Sequence, residues 1–491
     1  MAAIMIQGCG SDVGKSVLVA GLCRLFTRRG LTVRPFKPQN MSNNAAVTAP
    51  DSEGRIGEIG RAQALQAMAC RTPPTVDMNP VLLKPQSDTG AQLVVRGQVR
   101  GNWKARGYQD HKAALLDVVL ESFRKLEAEA DLVIIEGAGS PAEINLREGD
   151  IANMGFALAA NVPVILVGDI DRGHVIAALV GAHNVLENDD RDAIKGFMIN
   201  KFRGDPDLFD EGRKQICART GWPDIGMVPW LYESALLPAE DAVVLQSSMG
   251  ATGNRKLRIS VPMLSRIANF DDFDPLRHEP LIDLNFIPPG QVIPVDTDLI
   301  IIPGTKATLA DLAFLKAQGW DIDILSHARR GGQVIGICGG YQMLGRMIHD
   351  PAGSEGVAGS ANGLGLLDVE THLEGDKTLK SVTGTLAPNG AAFTGYEIHI
   401  GKTTGADTQN PAAFIDGQPQ GAISLDGRVT GLYVHGLFDK AEARQALLPE
   451  LTGQIVSVDQ SQRVDEALDR IAEALERHLD IATLSKIAGL S

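Results

Sequence analysis

Short, unbroken apolar runs alternate along this chain with longer stretches whose apolar residues recur at helical spacing. A run that is apolar at every position suits a strand buried on both faces. Such strands alternating with helices predict an α/β fold built on a mostly parallel sheet. In the first half, Ala3–Gln7, Leu132–Glu136, Val162–Val167 and Ile194–Asn200 read as strands, and Lys15–Arg29, Asp110–Ala128 and His174–Leu186 as helices. The stretch Gln246–Lys256 (QSSMGATGNRK) is small and polar without periodicity, as a linker is. A second series starts at Leu257–Pro262 and continues through Leu299–Ile302, Gln333–Ile337 and Gly431–Val434. The tail Arg463–Leu490 alternates apolar and charged residues at helical spacing, which predicts an amphipathic helix with one buried face. The expected organisation is a first domain over 1–245, a linker over 246–256, a second domain over 257–450, and a helical tail over 451–491 packed on the second domain. No internal repeat or low-complexity segment interrupts it.

Composition changes this picture little. The 491 residues exceed one ordinary core, and 44% hydrophobic with 22% charged residues is the balance of a soluble globular protein. A formal charge of −14 argues against a nucleic-acid partner, whose phosphates need a broad basic surface. An anionic small substrate remains compatible, since a local basic pocket can sit in an acidic surface. Cys9, Cys23, Cys70, Cys217 and Cys338 are odd in number and form no CxxC pair, so neither a disulfide framework nor a zinc knuckle is indicated. A reducing cytoplasm is the expected compartment. The apolar run at the N-terminus lacks a basic flank and reads as a first strand and not as a signal peptide. No run approaches the ~20 apolar residues of a membrane span.

Two turns carry chemistry. Gly8-Cys-Gly-Ser-Asp-Val-Gly-Lys-Ser16 lies between the first strand and the first helix. Glycines there let backbone N–H groups face a phosphate, and the helix N-terminus adds a favourable dipole. Gly8, Gly10, Ser11, Gly14, Lys15 and Ser16 are therefore candidate ATP-binding residues, with Lys15 on the β/γ-phosphates and the Ser16 hydroxyl on Mg²⁺. Five residues separate Gly8 from Gly14, where the usual phosphate loop has four. That spacing resembles the variant loop of dethiobiotin synthetase-like ATP enzymes. A metal also needs an acid, and Glu136, ending an apolar strand, is the first candidate, with Glu58 the second. Asp169 and Asp171 follow another strand, and Asn200-Lys201 ends a third, where a base contact and a plain turn are equally compatible.

The second turn is Gly336-Ile-Cys338-Gly-Gly340, at the junction of a strand and a helical stretch. Glycines flanking a nucleophile permit the sharp turn that projects its side chain, and a helix N-terminus favours the thiolate. Cys338 is the candidate nucleophile and His435, in Gly431-Leu-Tyr-Val-His-Gly-Leu-Phe438, its candidate base. The backbone N–H of Gly339, with one from the Gly304 region of Ile301-Ile-Pro-Gly-Thr-Lys306, would form an oxyanion hole. His399 and Glu397, in Gly395-Tyr-Glu-Ile-His-Ile-Gly401, have catalytic and structural readings in equal balance. A Cys-His glutaminase feeding a nucleotide-binding synthase is the function these pieces imply.

Taken together, QGCGSDVGKS, KPQNMSNN (Lys37–Asn44), GEIGRAQALQA (Gly57–Ala67), MNPVLLKPQSDTG (Met78–Gly90), IIEGAGSPAEINL, DIDRGH, PGTKATLADL, GICGGYQML, GYEIHIG and YVHGLF resemble the cobyric acid synthase family over nearly the whole chain. The resemblance implies a P-loop-type, dethiobiotin synthetase-like domain followed by a class I-type glutamine amidotransferase domain. It implies ATP and Mg²⁺, glutamine as nitrogen donor, and a corrinoid polycarboxylate, adenosylcobyrinic acid a,c-diamide, as acceptor at four carboxylates. Two departures stand out. Leu437 occupies the place of the glutamate in the His-x-Glu of ordinary class I glutaminases, so His435 is oriented by another group or works as a dyad. Cys9 stands where the family's phosphate loop carries Thr. A cobyrinic acid a,c-diamide synthase, a related system that amidates a cell-wall lipid intermediate, and a non-catalytic partition-type ATPase fused to a degenerate amidotransferase remain the alternatives at this point.

Overall fold

The computed structural model describes residues 2–51, 54–85, 90–104, 112–239, 257–449 and 458–490. The chain divides into two compact units, one comprising Met1–Ser42, Thr48–Pro238 and Val464–Ser491, the other Asn43–Val47 and Ala239–Arg463.

In the first unit a six-stranded sheet is ordered Asp224–Pro229, Ile194–Phe202, Val164–Asp169, Ala2–Gly8, Leu132–Glu136, Val33–Phe36. All its neighbours are parallel. The central strand is buried at every residue because both faces are covered. Ile4 and Ile6 join a core that includes the helix Lys15–Arg28, while Met5 joins another that includes Phe36, Phe123 and Phe156. The predicted strands and helices of this half are present with their ends moved by a residue or two, the ordinary uncertainty of element boundaries.

The tail departs from expectation. From Val464 onward it belongs to the first unit and not to the second. It forms the helices Gln460–His478 and Ile481–Ala488. Val464, Leu468, Ile471 and Leu475 lie in one core with Leu18, Leu22 and Leu25 of the helix behind the phosphate loop. The approach is close: a Cβ on Gly21 would stand 2.6 Å from both Ile471 Cγ2 and Leu475 Cδ1. Arg24, fully buried, donates to Asp465 and Asp469 on the same helix. An amphipathic pattern specifies that one face is buried, and the complementary surface that buries it is set by the fold.

In the second unit the main sheet runs Ile282–Ile287, Leu257–Pro262, Leu299–Ile302, Gln333–Ile337, Val429–Leu432, Ala422–Ile423. It is parallel except for its last pair. A separate antiparallel sheet, not foreseen from the sequence, runs Gln418–Gln420, Ala413–Ile415, Thr378–Leu386, Ala392–His399, Val434–His435. The single strand expected at Gly431–Val434 is thus broken at Tyr433. Val429–Leu432 lies in the parallel sheet beside Gln333–Ile337, and Val434–His435 passes to the antiparallel one. The short segment Asn43–Val47 also belongs here, against an expected first domain ending at 245. Asn44 donates to the Ala239 carbonyl (3.1 Å) and accepts from the Phe270 N–H (3.3 Å). The linker expected at Gln246–Lys256 lies outside the described residues. Among the described residues no helix is long and apolar enough to cross a membrane.

Candidate active sites

The phosphate loop follows the carboxyl end of the central strand of the first unit, where ligands of open α/β sheets bind. Its tip turns through left-handed conformations at Asp12 (φ 58°) and Gly14 (φ 93°). A side chain at Gly14 would stand 2.3 Å from Asn200 Nδ2, which itself donates to the Val13 carbonyl at 2.8 Å. Asn200 therefore braces the loop, and Gly14 is required both by its backbone angle and by that close approach. Lys201 donates to the Asp12 carbonyl and to Asp169 (2.9 Å), so two more strand-end residues hold the tip. Asp171 pairs with Arg203 (2.9 Å). Lys15 is buried with its ammonium on the carbonyls of Gly10 (3.0 Å) and Gly139 (3.1 Å). Gly8 packs under the loop, Gly10 has open space where a side chain would be, and Ser11 is exposed.

Ser16 Oγ donates to Glu136 Oε1 at 2.8 Å, so the sequence candidates Ser16 and Glu136 meet. Glu136, 1% exposed, also accepts from Lys37 Nζ (2.9 Å) and Gln66 Nε2 (2.5 Å). Lys37 and Gln66 lie in the KPQN and GEIGRAQALQA motifs but were not singled out. A buried lysine and glutamine declare themselves only once their carboxylate partner is placed. Glu58 instead forms a buried ion pair with Lys84 at 2.9 Å. That pairing accounts for its burial without a metal. Hard oxygens at Ser16 and Glu136, beside a phosphate cradle, are the donor set a Mg²⁺ ion takes.

The cysteine turn occupies the corresponding place in the second unit. Cys338 sits between the strand Gln333–Ile337 and the helix Gly339–Leu344 at φ 53° and ψ −111°. A non-glycine residue in that region is strained, as nucleophile turns are. The surrounding glycines are sterically necessary: a Cβ on Gly340 would meet the Ile302 carbonyl oxygen at 2.1 Å, and one on Gly336 the Gly340 carbonyl at 2.7 Å. His435 is 2% exposed. Its Nδ1 donates to Asp272 Oδ2 at 2.7 Å, while Asp272 Oδ1 accepts from the Gly436 N–H at 2.7 Å. Tyr396 stacks on the imidazole at 5.3 Å, its hydroxyl accepting from Asn269 at 2.8 Å. Burial alone depresses the imidazole, but the hydrogen-bonded Asp272 carboxylate and, after it, the nearby Cys338 sulfur push it up to about 10.

Asp272 was missed from the sequence. It is bonded to His435 Nδ1, the contact that the glutamate of His-x-Glu would otherwise be expected to supply. Asp272 lies in the short turn Phe270–Phe273, in a run of acids at Asp271, Asp272 and Asp274 that marks no single one of them. Gly304 and Gly339 are also brought in. A Cβ on Gly304 would stand 2.9 Å from His435 Cε1, and one on Gly339 2.6 Å from Thr305 Cγ2. Asp311 pins this loop, accepting from Ser265 Oγ (2.5 Å), from the Arg266 N–H (3.1 Å) and from Thr305 Oγ1. Glu397 is committed to Lys380 at 3.0 Å.

A model of the CobQ/CobB/MinD/ParA nucleotide binding domain matches residues 4–244, and one of the CobB/CobQ-like glutamine amidotransferase domain matches 258–443. A protein named cobyric acid synthase from Caulobacter sp. (strain K31) is 67% identical over 100% of both chains. Those of Rhizobium johnstonii and Sphingopyxis alaskensis, named alike, are each 58% identical over 99% of both chains. The chain belongs to the cobyric acid synthase family. It is accordingly a glutamine-hydrolysing carbon–nitrogen ligase, with a nucleotide-binding unit and an amidotransferase unit in one polypeptide. Membership of this family is what separates it from a degenerate regulatory fusion.

Proposed function

We propose that the chain converts adenosylcobyrinic acid a,c-diamide to adenosylcobyric acid, amidating the b, d, e and g carboxylates at the expense of ATP and glutamine in the cytoplasm. The observation that carries the glutaminase half is the buried His435–Asp272 pair beside Cys338 in its positive-φ turn. The choice of corrinoid rests on the names of relatives up to 67% identical over the full length.

Cys338 attacks the side-chain amide carbon of glutamine. Charge building on the carbonyl oxygen is met by the N–H groups of Gly339 and Gly304. The His435 imidazolium, held by Asp272, gives its proton to the departing nitrogen, and ammonia leaves a thioester. His435 then takes a proton from water as it attacks the thioester, and glutamate departs with Cys338 restored. In the first unit a substrate carboxylate attacks the γ-phosphorus of ATP, ADP leaves, and ammonia displaces phosphate from the acyl phosphate. Backbone N–H groups of Gly8–Ser16 and the Lys15 ammonium bind the phosphates, and negative charge spreading over the transferring group is stabilised where it develops. Ser16 and Glu136 would hold Mg²⁺, which neutralises phosphate charge when bound. The direct test is mass spectrometry of the product after incubation with the a,c-diamide, glutamine and Mg-ATP. Four successive gains of an amide for an acid support the reading, and an unaltered corrinoid overturns it.

A further inference from the structure

The strand Ala392–His399 runs antiparallel to Val434–His435, with Tyr396 opposite His435. Its end passes the nucleophile, for the Ile398 carbonyl accepts from Cys338 Sγ at 3.5 Å. His399 comes next. Its ring lies flat on Tyr433, with centroids 3.7 Å apart and planes at 12°. Tyr433 in turn is tied to the cysteine turn, since Gln342 Nε2 donates to its hydroxyl (3.4 Å) and to the Ile400 carbonyl (3.1 Å). The stacked pair thus forms one wall beside Cys338.

In that wall His399 Nδ1 is buried and has no hydrogen-bond partner among the described residues. A buried polar atom left unpaired carries a desolvation cost without return, and such atoms in a site mark where something is to be bound. Burial, and after it the charge of His435, lowers the His399 imidazole to about 4. The ring is therefore neutral at physiological pH, unlike His435, and adds no second positive charge beside the imidazolium. A neutral imidazole offers one donor and one acceptor, the complement of an amino-acid substrate that carries an amide, an ammonium and a carboxylate.

We propose that His399 is a substrate-positioning residue, its Nδ1 taking up a hydrogen bond with the glutamine held against Cys338. This rests on the reading of Cys338 and His435 as the glutaminase centre. The role is distinct from theirs: His399 fixes the substrate and takes no part in bond making.

The test uses the full chain with His399→Phe and His399→Asn. Phenylalanine keeps the ring on Tyr433 and removes only the nitrogens. The KM for glutamine should rise about tenfold, the loss expected of one hydrogen bond, with kcat little changed. Thermal stability should hold or improve, because an unsatisfied polar atom has gone, and synthesis from ammonia should be unaffected. Asparagine, whose side-chain amide reaches the position of Nδ1, should recover part of the KM. An unaltered KM for glutamine in His399→Phe overturns the proposal, as does a loss confined to kcat. A parallel Cys338→Ser variant separates the two readings. If it still hydrolyses glutamine, the Cys-His assignment fails whatever His399 does.

Discussion

The phosphate loop and the cysteine turn occupy equivalent places, each just past the carboxyl end of a strand in a parallel sheet, yet they collect their partners differently. The loop is built from a contiguous stretch, Gly8–Ser16, and its proposed phosphate-binding groups are largely backbone N–H. Glu136, Lys37 and Asn200 complete and brace it, but the cradle itself is local. The cysteine turn supplies only the nucleophile. The proposed base, His435, comes from a segment that changes sheets at Tyr433, and the aspartate bonded to it lies 163 residues earlier in sequence. Phosphate recognition by backbone needs one segment in one conformation. Nucleophile activation needs side chains of separate segments in contact, which only packing provides.

The sharpest way to break this comparison is to remove the nucleophile. Cys338→Ser should abolish glutamine-dependent synthesis and leave ammonia-dependent synthesis largely intact, since the cysteine serves only to release ammonia. Steady-state rates with the two donors decide it, and equal loss with both would count against the division of labour.

Asp272→Asn should come next, lowering glutamine-dependent turnover on the order of 10²-fold or more, as when a buried carboxylate no longer fixes its histidine. Ammonia-dependent synthesis should persist. The substitution also removes the charge that helps hold His435 up at about 10, so the alkaline limb of the glutaminase pH profile should move to lower pH. The sign for stability follows from the same shift. A histidine raised from 6.5 to about 10 contributes fully below pH 6.5, and that contribution is lost as pH climbs towards 10. Thermal melts across that window should show a smaller decline in Asp272→Asn than in the parent. A parallel decline would place the His435–Asp272 pair outside the linkage.

Lys15→Ala should suppress synthesis with either donor, by an amount on the order of 10²-fold, because phosphoryl transfer precedes the use of ammonia. Near-normal turnover with ammonia would move the nucleotide site away from this loop. Glu136→Gln should act more mildly, about tenfold, again with both donors and with a rightward shift in the Mg²⁺ dependence. Glu136 accepts from three protein donors in addition to its proposed ion, so glutamine in its place keeps the packing and loses the charge. An unchanged Mg²⁺ titration would remove it from the metal site.

The smallest effect on turnover belongs to Ile471→Ala. It should cost about 2–4 kcal/mol of stability from a well-packed core position, with the ratio of glutamine- to ammonia-dependent rates unchanged. Denaturant unfolding of the full chain measures it. An unfolding midpoint equal to the parent's would show that the tail contributes little to the core behind the phosphate loop.

How much of this was legible beforehand differs between the two sites for physical reasons. Buried parallel strands announce themselves because both faces are apolar, so Leu132–Glu136, Leu299–Ile302 and Gln333–Ile337 were read at their actual bounds. The turns carrying Lys15 and Cys338 were legible because glycine at a strand–helix junction is a local demand of backbone geometry. Asp272, the Lys37 and Gln66 partners of Glu136, the antiparallel sheet, the tail's attachment to the first unit and the residues Asn43–Val47 that belong to the second were not. An aspartate among several is ordinary in a sequence and exceptional only at 2.7 Å from a buried imidazole. The tail's apolar stripe fixed that a face is buried, whereas the surface receiving it, narrowed to a Cα at Gly21, exists only in the folded sheet-and-helix layer. The sequence by itself determined the two parallel-sheet series and the glycine-built turns at Gly8–Ser16 and Gly336–Gly340, because each depends on the conformation of a short segment. The tertiary structure alone decided what orients His435 and what the tail covers, because those depend on complementarity between segments far apart in the chain.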